Sequence, residues 1–232
     1  MKKLFSCIVI ITVLFSCGKD KTENMVVKGQ IDGLKKGTVY LQKFKDTLLV
    51  VVDSIQLHGE GIFTLKDEVE NPEIYFLTLD KIQTEKISFF GEKGEIKITS
   101  KLEKFSTSAK ITGSKNQEKL DEHNAMAQKF NGRLLELFKE KFGAQKLNDI
   151  AMNSKLIKEE NNLIKRKYLY TTNFAVVNAD YETAPYLALT DLYNANLKLL
   201  DTINNSLSEK VKISKYGIAL EKYIEEIKNT EN

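Results

Sequence analysis

The chain has 232 residues, 35 basic and 32 acidic side chains, a formal net charge of +3, two cysteines, two histidines and no tryptophan. This near balance of charge gives no reason to expect nucleic acid as a partner, or an anionic membrane surface as the main one. With no His-x-x-x-His pair and no cysteine cluster, the recognisable zinc patterns are excluded, and no metal or cofactor is implied.

Met1-Lys2-Lys3 is a short basic start, and the run LFSCIVIITVLFSC over residues 4–17 is apolar but too short to span a bilayer comfortably. This is the layout of a secretory signal peptide, expected over residues 1–16. Leu14-Phe15-Ser16 ahead of Cys17 reads large aliphatic, variable, small, which resembles a bacterial lipobox. Cys17 is then the expected lipidation site, and the protein is expected to be a lipoprotein. The alternatives are an ordinary cleaved signal with an incidental cysteine, or an uncleaved membrane anchor. A single acyl chain holds a protein only marginally, at about 0.8 kcal/mol per buried methylene. A diacylglyceryl thioether with an N-acyl group such as palmitate would supply three chains. Cys7 would leave with the signal and Cys17 would be consumed by lipid, so no thiol would remain for a disulfide or for catalysis. The expected location is the cell envelope, on a membrane, with the outer membrane favoured and the leaflet open. The stretch GKDKTEN that follows reads as a tether, residues 17–24 in all.

Residues 25–112 are expected to form an antiparallel β-domain. Val-, Ile-, Thr-, Phe- and Tyr-rich segments fall at 25–31, 37–44, 48–57, 61–66, 74–80, 86–91 and 95–99. Asp32-Gly33, Lys45-Asp46, the stretch 58–61 and Glu92-Lys93-Gly94 supply turn chemistry between them. Strands of this length and spacing suggest a sandwich or an open barrel.

From residue 113 to 232 the chain reads helical, which makes the fold class α+β. Ser114 with Gln117 three residues on has the form of a capping box. Leu120, His123, Ala127, Phe130, Leu134, Leu137, Phe138 and Phe142 then recur at steps of three or four, one face of a helix of six or seven turns. Further helices are expected near 147–178, 183–193 and 215–229, packed as antiparallel hairpins. Pro185 stands at a tolerated early position of the third.

The segments VVKGQIDGLKKGTVYLQKF, VVVDSIQLHGEGIFTLKDEVENPEIYFLTLD and ISFFGEKGEIKIT, with ITGSKNQEKLDEH after them, resemble the β-domain called domain of unknown function 4369. That family occurs in lipoproteins of Bacteroidetes-type bacteria, typically ahead of a thioredoxin-like thiol–disulfide module. The resemblance covers most of residues 25–125 and brings no catalytic residue with it. The sequence has no Cys-x-x-Cys, so the reductase chemistry of such relatives is not expected in this polypeptide.

Other chemistry finds little support. His58 sits in a predicted turn, and His123 lies near an apolar helix face beside Asp121 and Glu122, where a helix-interface role is favoured over a metal or general-base role. Asp53-Ser54 lacks the glycines of a nucleophile elbow. Glu159-Glu160 and Glu225-Glu226 are adjacent on helices and so point to different sides. Phe76, Phe89, Phe90, Tyr40 and Tyr75 in the β-region, with Tyr168, Tyr170, Tyr181, Tyr186 and Tyr193 in the helices, are expected as core, or else as the lining of a pocket at the junction. The expectation is a non-catalytic binding or scaffold module, an accessory to an envelope partner such as a thioredoxin-like protein. The alternatives are a carrier of a small apolar ligand at the junction, or an enzyme using scattered polar residues.

Overall fold

The protein is described by a computed structural model over residues 23–231. The signal peptide expected at 1–16, the lipidation expected at Cys17 and most of the tether lie outside the described residues. Eight strands come first: β1 (Met25–Asp32), β2 (Lys36–Lys45), β3 (Leu48–His58), β4 (Ile62–Asp67), β5 (Glu73–Leu79), β6 (Ile82–Gly91), β7 (Gly94–Lys101) and β8 (Lys110–Thr112). Six helices follow: α1 (Lys115–Lys146), α2 (Ile150–Val177), α3 (Thr183–Asp191), α4 (Leu197–Ser206), α5 (Glu209–Lys212) and α6 (Lys215–Glu231).

The strands form two four-stranded sheets, β4-β1-β7-β8 and β3-β2-β5-β6. Along β1 burial alternates, sending Met25, Val27 and Ile31 inward to meet Val39, Leu41, Leu77 and Phe89 of the other sheet. Two sheets sharing one apolar layer are a sandwich rather than an open barrel, and each fully buried aliphatic or phenyl side chain contributes on the order of 2 kcal/mol. The pairing is antiparallel except between β1 and β7, which run parallel in register Met25↔Gly94 through Asp32↔Lys101. A register shift between Leu41 and Gln42 leaves Val52 unpaired in β3. Next to this bulge Asp53 accepts from Ser54 N (2.7 Å) and from Lys66 N of β4 (2.8 Å), tying the edges of the two sheets together.

β5 is buried on both faces, because its outer face lies under the helices. That is why its sequence does not alternate. At the crossing from β8 to α1, Gly113 has φ +93°, and a Cβ there would meet Glu95 O at 2.2 Å, so only glycine fits. α1 is longer than expected, at 32 residues. α1 and α2 form an antiparallel hairpin whose outer half packs around Leu137, Ala144, Leu156 and Leu163. A separate cluster, including Ala184, Ala188, Leu200, Ile203 and Leu220, joins the C-terminal end of α2 to α3, α4 and α6. No described helix is long and apolar enough to cross a membrane.

Candidate functional site: the cleft between sheet and helices

The helices meet the sandwich on the outer face of β5 and β6. Ile74, Phe76 and Phe90 pack against Leu120 of α1, Tyr186 of α3 and Tyr216 of α6. Phe90 and Tyr186 are edge to face at 5.3 Å, as are Tyr186 and Tyr216. Two strand amides with no ladder partner here find side chains instead. Ile74 N donates to Tyr216 Oη (3.0 Å), and Phe90 N donates to Gln117 Oε1 (2.9 Å). Burial pushes the Tyr186 and Tyr216 phenols above their usual range.

Gln117 was expected to complete a capping box, and only half of the box forms. Ser114 Oγ accepts from Gln117 N (3.1 Å), but the Gln117 side chain reaches the edge strand and Asp121 (2.7 Å) rather than turning back to Ser114 N. The vacant place at the start of α1 is taken by Glu92, which accepts from Lys115 N (2.6 Å) and Asn116 Nδ2 (2.7 Å). Asn116 then links α1 to α3. Its Oδ1 accepts from Thr183 N (3.1 Å), its carbonyl accepts from Thr183 Oγ1 (2.9 Å), and its Nδ2 also donates to Glu182 Oε2 (3.2 Å).

Beside this knot lies a cleft of about 420 Å³, lined by Glu92, Lys93, Lys115, Asn116, Glu182 and Lys210 among others. Glu182 is only 1% exposed, and its Oε1 has no hydrogen-bond partner among the described residues. Burial pushes its carboxyl above the ordinary value, and a local backbone amide, the field of Lys210 and the Asn116 bond offset this only in part. A buried, half-satisfied carboxylate at the wall of a cleft costs stability, and such groups concentrate at binding sites. The walls of this cleft are charged and polar. The aromatic residues at the junction pack on each other.

The residues singled out in the sequence scatter. His123 is fully buried between α1 and α2, with Nε2 3.0 Å from Thr171 Oγ1 and its ring stacked on Tyr170. Burial depresses its pKa, and the ring reaches neither the cleft nor solvent. His58 is exposed at the end of β3, and Asp53-Ser54 serves the sheet edge. Glu159 pairs with Arg133 and Glu160 with Lys141. Tyr75 and Phe89 belong to the sandwich core. Glu182 was not singled out, and its only mark in the sequence is an acid just ahead of a short helix. Among the described residues, no group of three or more His, Cys, Asp or Glu could hold a metal ion.

Residues 25–120 match the family model for Domain of unknown function (DUF4369). The match ends at Leu120, the α1 residue seated on Ile74, Phe76 and Phe90. The DUF4369 match therefore takes in the sandwich together with the turns of α1 that cover its outer face, and stops where α1 leaves the sheet. Glu92 and Asn116 lie within the DUF4369 segment and Glu182 beyond it. No curated protein and no solved structure matches the chain.

Proposed function

We propose that the protein is a lipid-anchored binding module of the cell envelope, without catalysis of its own, that holds a ligand bearing a cationic group in the cleft between sandwich and helices. The observation that carries this is the unpaired Oε1 of buried Glu182 at the cleft wall. An ammonium or guanidinium group entering there would satisfy that oxygen and draw the carboxyl back to its charged form. Lys93, Lys115 and Lys210 at the same cleft suit an acidic group elsewhere on the ligand, so a zwitterion fits the site better than a simple cation. A thioredoxin-like thiol–disulfide protein is the partner class that the family resemblance suggests. The anchor is Cys17, and the outer membrane is the favoured site.

Native mass spectrometry of the full-length protein, extracted gently from its own membranes after mild cross-linking, tests both halves. The wild type should carry an acyl mass that Cys17→Ser lacks, and a discrete bound mass that Glu182→Gln loses. A wild-type chain without lipid overturns the anchor. Lipidated wild-type and Glu182→Gln proteins with identical bound masses overturn the cleft.

A further inference from the structure

The outer half of the α1–α2 hairpin pairs all its carboxylates and leaves lysines over. Arg133 reaches Glu136 (3.1 Å), Glu140 (2.9 Å) and, across the seam, Glu159 of α2 (2.7 Å). Lys141 holds Glu160, and Asp149 caps α2 by accepting from Met152 N. Every carboxylate between Phe130 and Lys165 is thereby engaged within the hairpin. The lysines Lys139, Lys146, Lys155, Lys158 and Lys165 are all exposed, and none meets a carboxylate among the described residues; Lys155 alone of them shares the Glu159 side of α2.

On α1 the apolar residues stand beside Lys139 and Lys146. Leu135, Phe138 and Phe142 recur at i, i+3 and i+7, a single stripe on α1, and are more than half exposed. At about 100° per residue, Phe138 stands on the far side of the helix from Glu140. On α2, Ile150 and Ile157 form a stripe that stands in the same way to Glu159. Arg133 and Glu159 bridge the seam on one side; the two stripes lie on the other, where Lys141 and Glu160 bridge the seam between them. Exposure is greatest at the turn, where Leu147 is 82% and Ile150 80% exposed, and Lys146 lies over the Phe142 ring at 4.5 Å. The same side runs on into a groove of about 410 Å³ between α2 and α4, lined by Ile164, Tyr168 and Leu199 and flanked by Lys165 and Lys198.

We infer that this face of the α1–α2 hairpin docks on an anionic phospholipid surface. Lysines that face no carboxylate, beside exposed phenyl and aliphatic groups, combine attraction to anionic headgroups with insertion into the acyl boundary. Lys139 and Lys146 would repel the same face of a second copy. An apolar surface that is most exposed at a projecting turn fits a fluid bilayer, which needs no matching groove. The contact is separate from the anchor at Cys17, and its failure would leave the cleft and the anchor standing.

The test uses the chain from Gly18 onward, so that neither an acyl chain nor the apolar signal segment contributes. It should co-sediment with vesicles of phosphatidylglycerol and phosphatidylcholine, and not with phosphatidylcholine alone. Phe138→Ser/Phe142→Ser should abolish this without changing the melting temperature. Lys139→Glu/Lys158→Glu should lower the vesicle partition about tenfold or more, and added salt should do the same. No co-sedimentation, equal binding to both vesicles, or binding unchanged in the phenylalanine variant overturns the inference. A dimer in sedimentation velocity that the phenylalanine variant abolishes, with no vesicle binding, assigns the face to a second copy. An acidic protein lost only from the variant's native mass spectrum assigns it to that protein.

Discussion

Glu182 shows how one side chain can work against the fold that holds it. Its folded pKa lies above its unfolded one, so between the two values the native state binds more protons than the unfolded chain, and stability falls as pH rises through that window. Glu182→Gln keeps an acceptor for Asn116 and removes the buried charge. The variant should match the wild type below the unfolded value, near pH 4.5, and gain on it as pH rises, reaching a plateau above the raised folded value. Thermal melts across that range in ligand-free protein decide the point, and a variant less stable than the wild type at pH 8 would refute it. His123 shifts in the opposite sense. Its depressed pKa removes stability as pH falls below about 6.5. Placing His123 at a helix interface was possible from spacing alone, since its neighbours recur at three and four. Glu182 was hidden because its burial depends on Asn116, 66 positions earlier in the chain.

At the level of single elements, α1 illustrates how a correct pattern can carry a different contact. The sequence shows Ser114 and Gln117 at cap spacing, and the helix does start there. Yet the glutamine is spent on Phe90 N of the edge strand, and Glu92 takes up Lys115 N at the start of the helix. Ser114→Ala should therefore cost about 1 kcal/mol, the ordinary loss of a cap. Gln117→Ala should cost about 1–3 kcal/mol, the range for stranding a buried donor, although its own cap role is vacant. Chemical denaturation of both variants checks the order, and a smaller loss for Gln117→Ala would count against the contact. The seven longer strands were legible from β-branched runs and turns. The three-residue β8 was not, because Lys110-Ile111-Thr112 is too short for a period to show. α4 and α5 were missed for a similar reason, being brief and rich in polar residues. The parallel pairing of β1 with β7 joins strands some 70 residues apart, and no local pattern encodes it.

Over the molecule as a whole, a buried charge network tethers the sandwich to α6. Lys43 of β2 meets Asp67 (2.7 Å) and Glu73 (3.2 Å), Tyr75 Oη donates to Asp67 (2.7 Å), and Lys215 of α6 holds Glu73 and donates to Phe44 O (3.0 Å). Burial works against the charge on Lys43, but the bond to Asp67 and the fields of both carboxylates outweigh it and leave the pKa raised. The stability it adds is therefore complete below pH 10.5 and fades as pH climbs through the raised value. Lys43→Met leaves Asp67 to Tyr75 Oη and Glu73 to Lys215, each with less charge facing it, and should cost about 3 kcal/mol at neutral pH, with the deficit shrinking in strong alkali. Denaturant melts at neutral and alkaline pH measure this, and a loss independent of pH would point to packing instead. The two-part α+β layout was readable from the change of period near residue 112. The network was not, since its members come from four elements. The seating of Leu120 also bears on where the chain can be cut. A fragment ending at Thr112 would carry every strand and still be incomplete, with Phe76 and Phe90 laid bare and the Phe90 amide without its acceptor. Such a fragment should stick to its neighbours, so the smallest piece able to stand alone is a sandwich that keeps its lid.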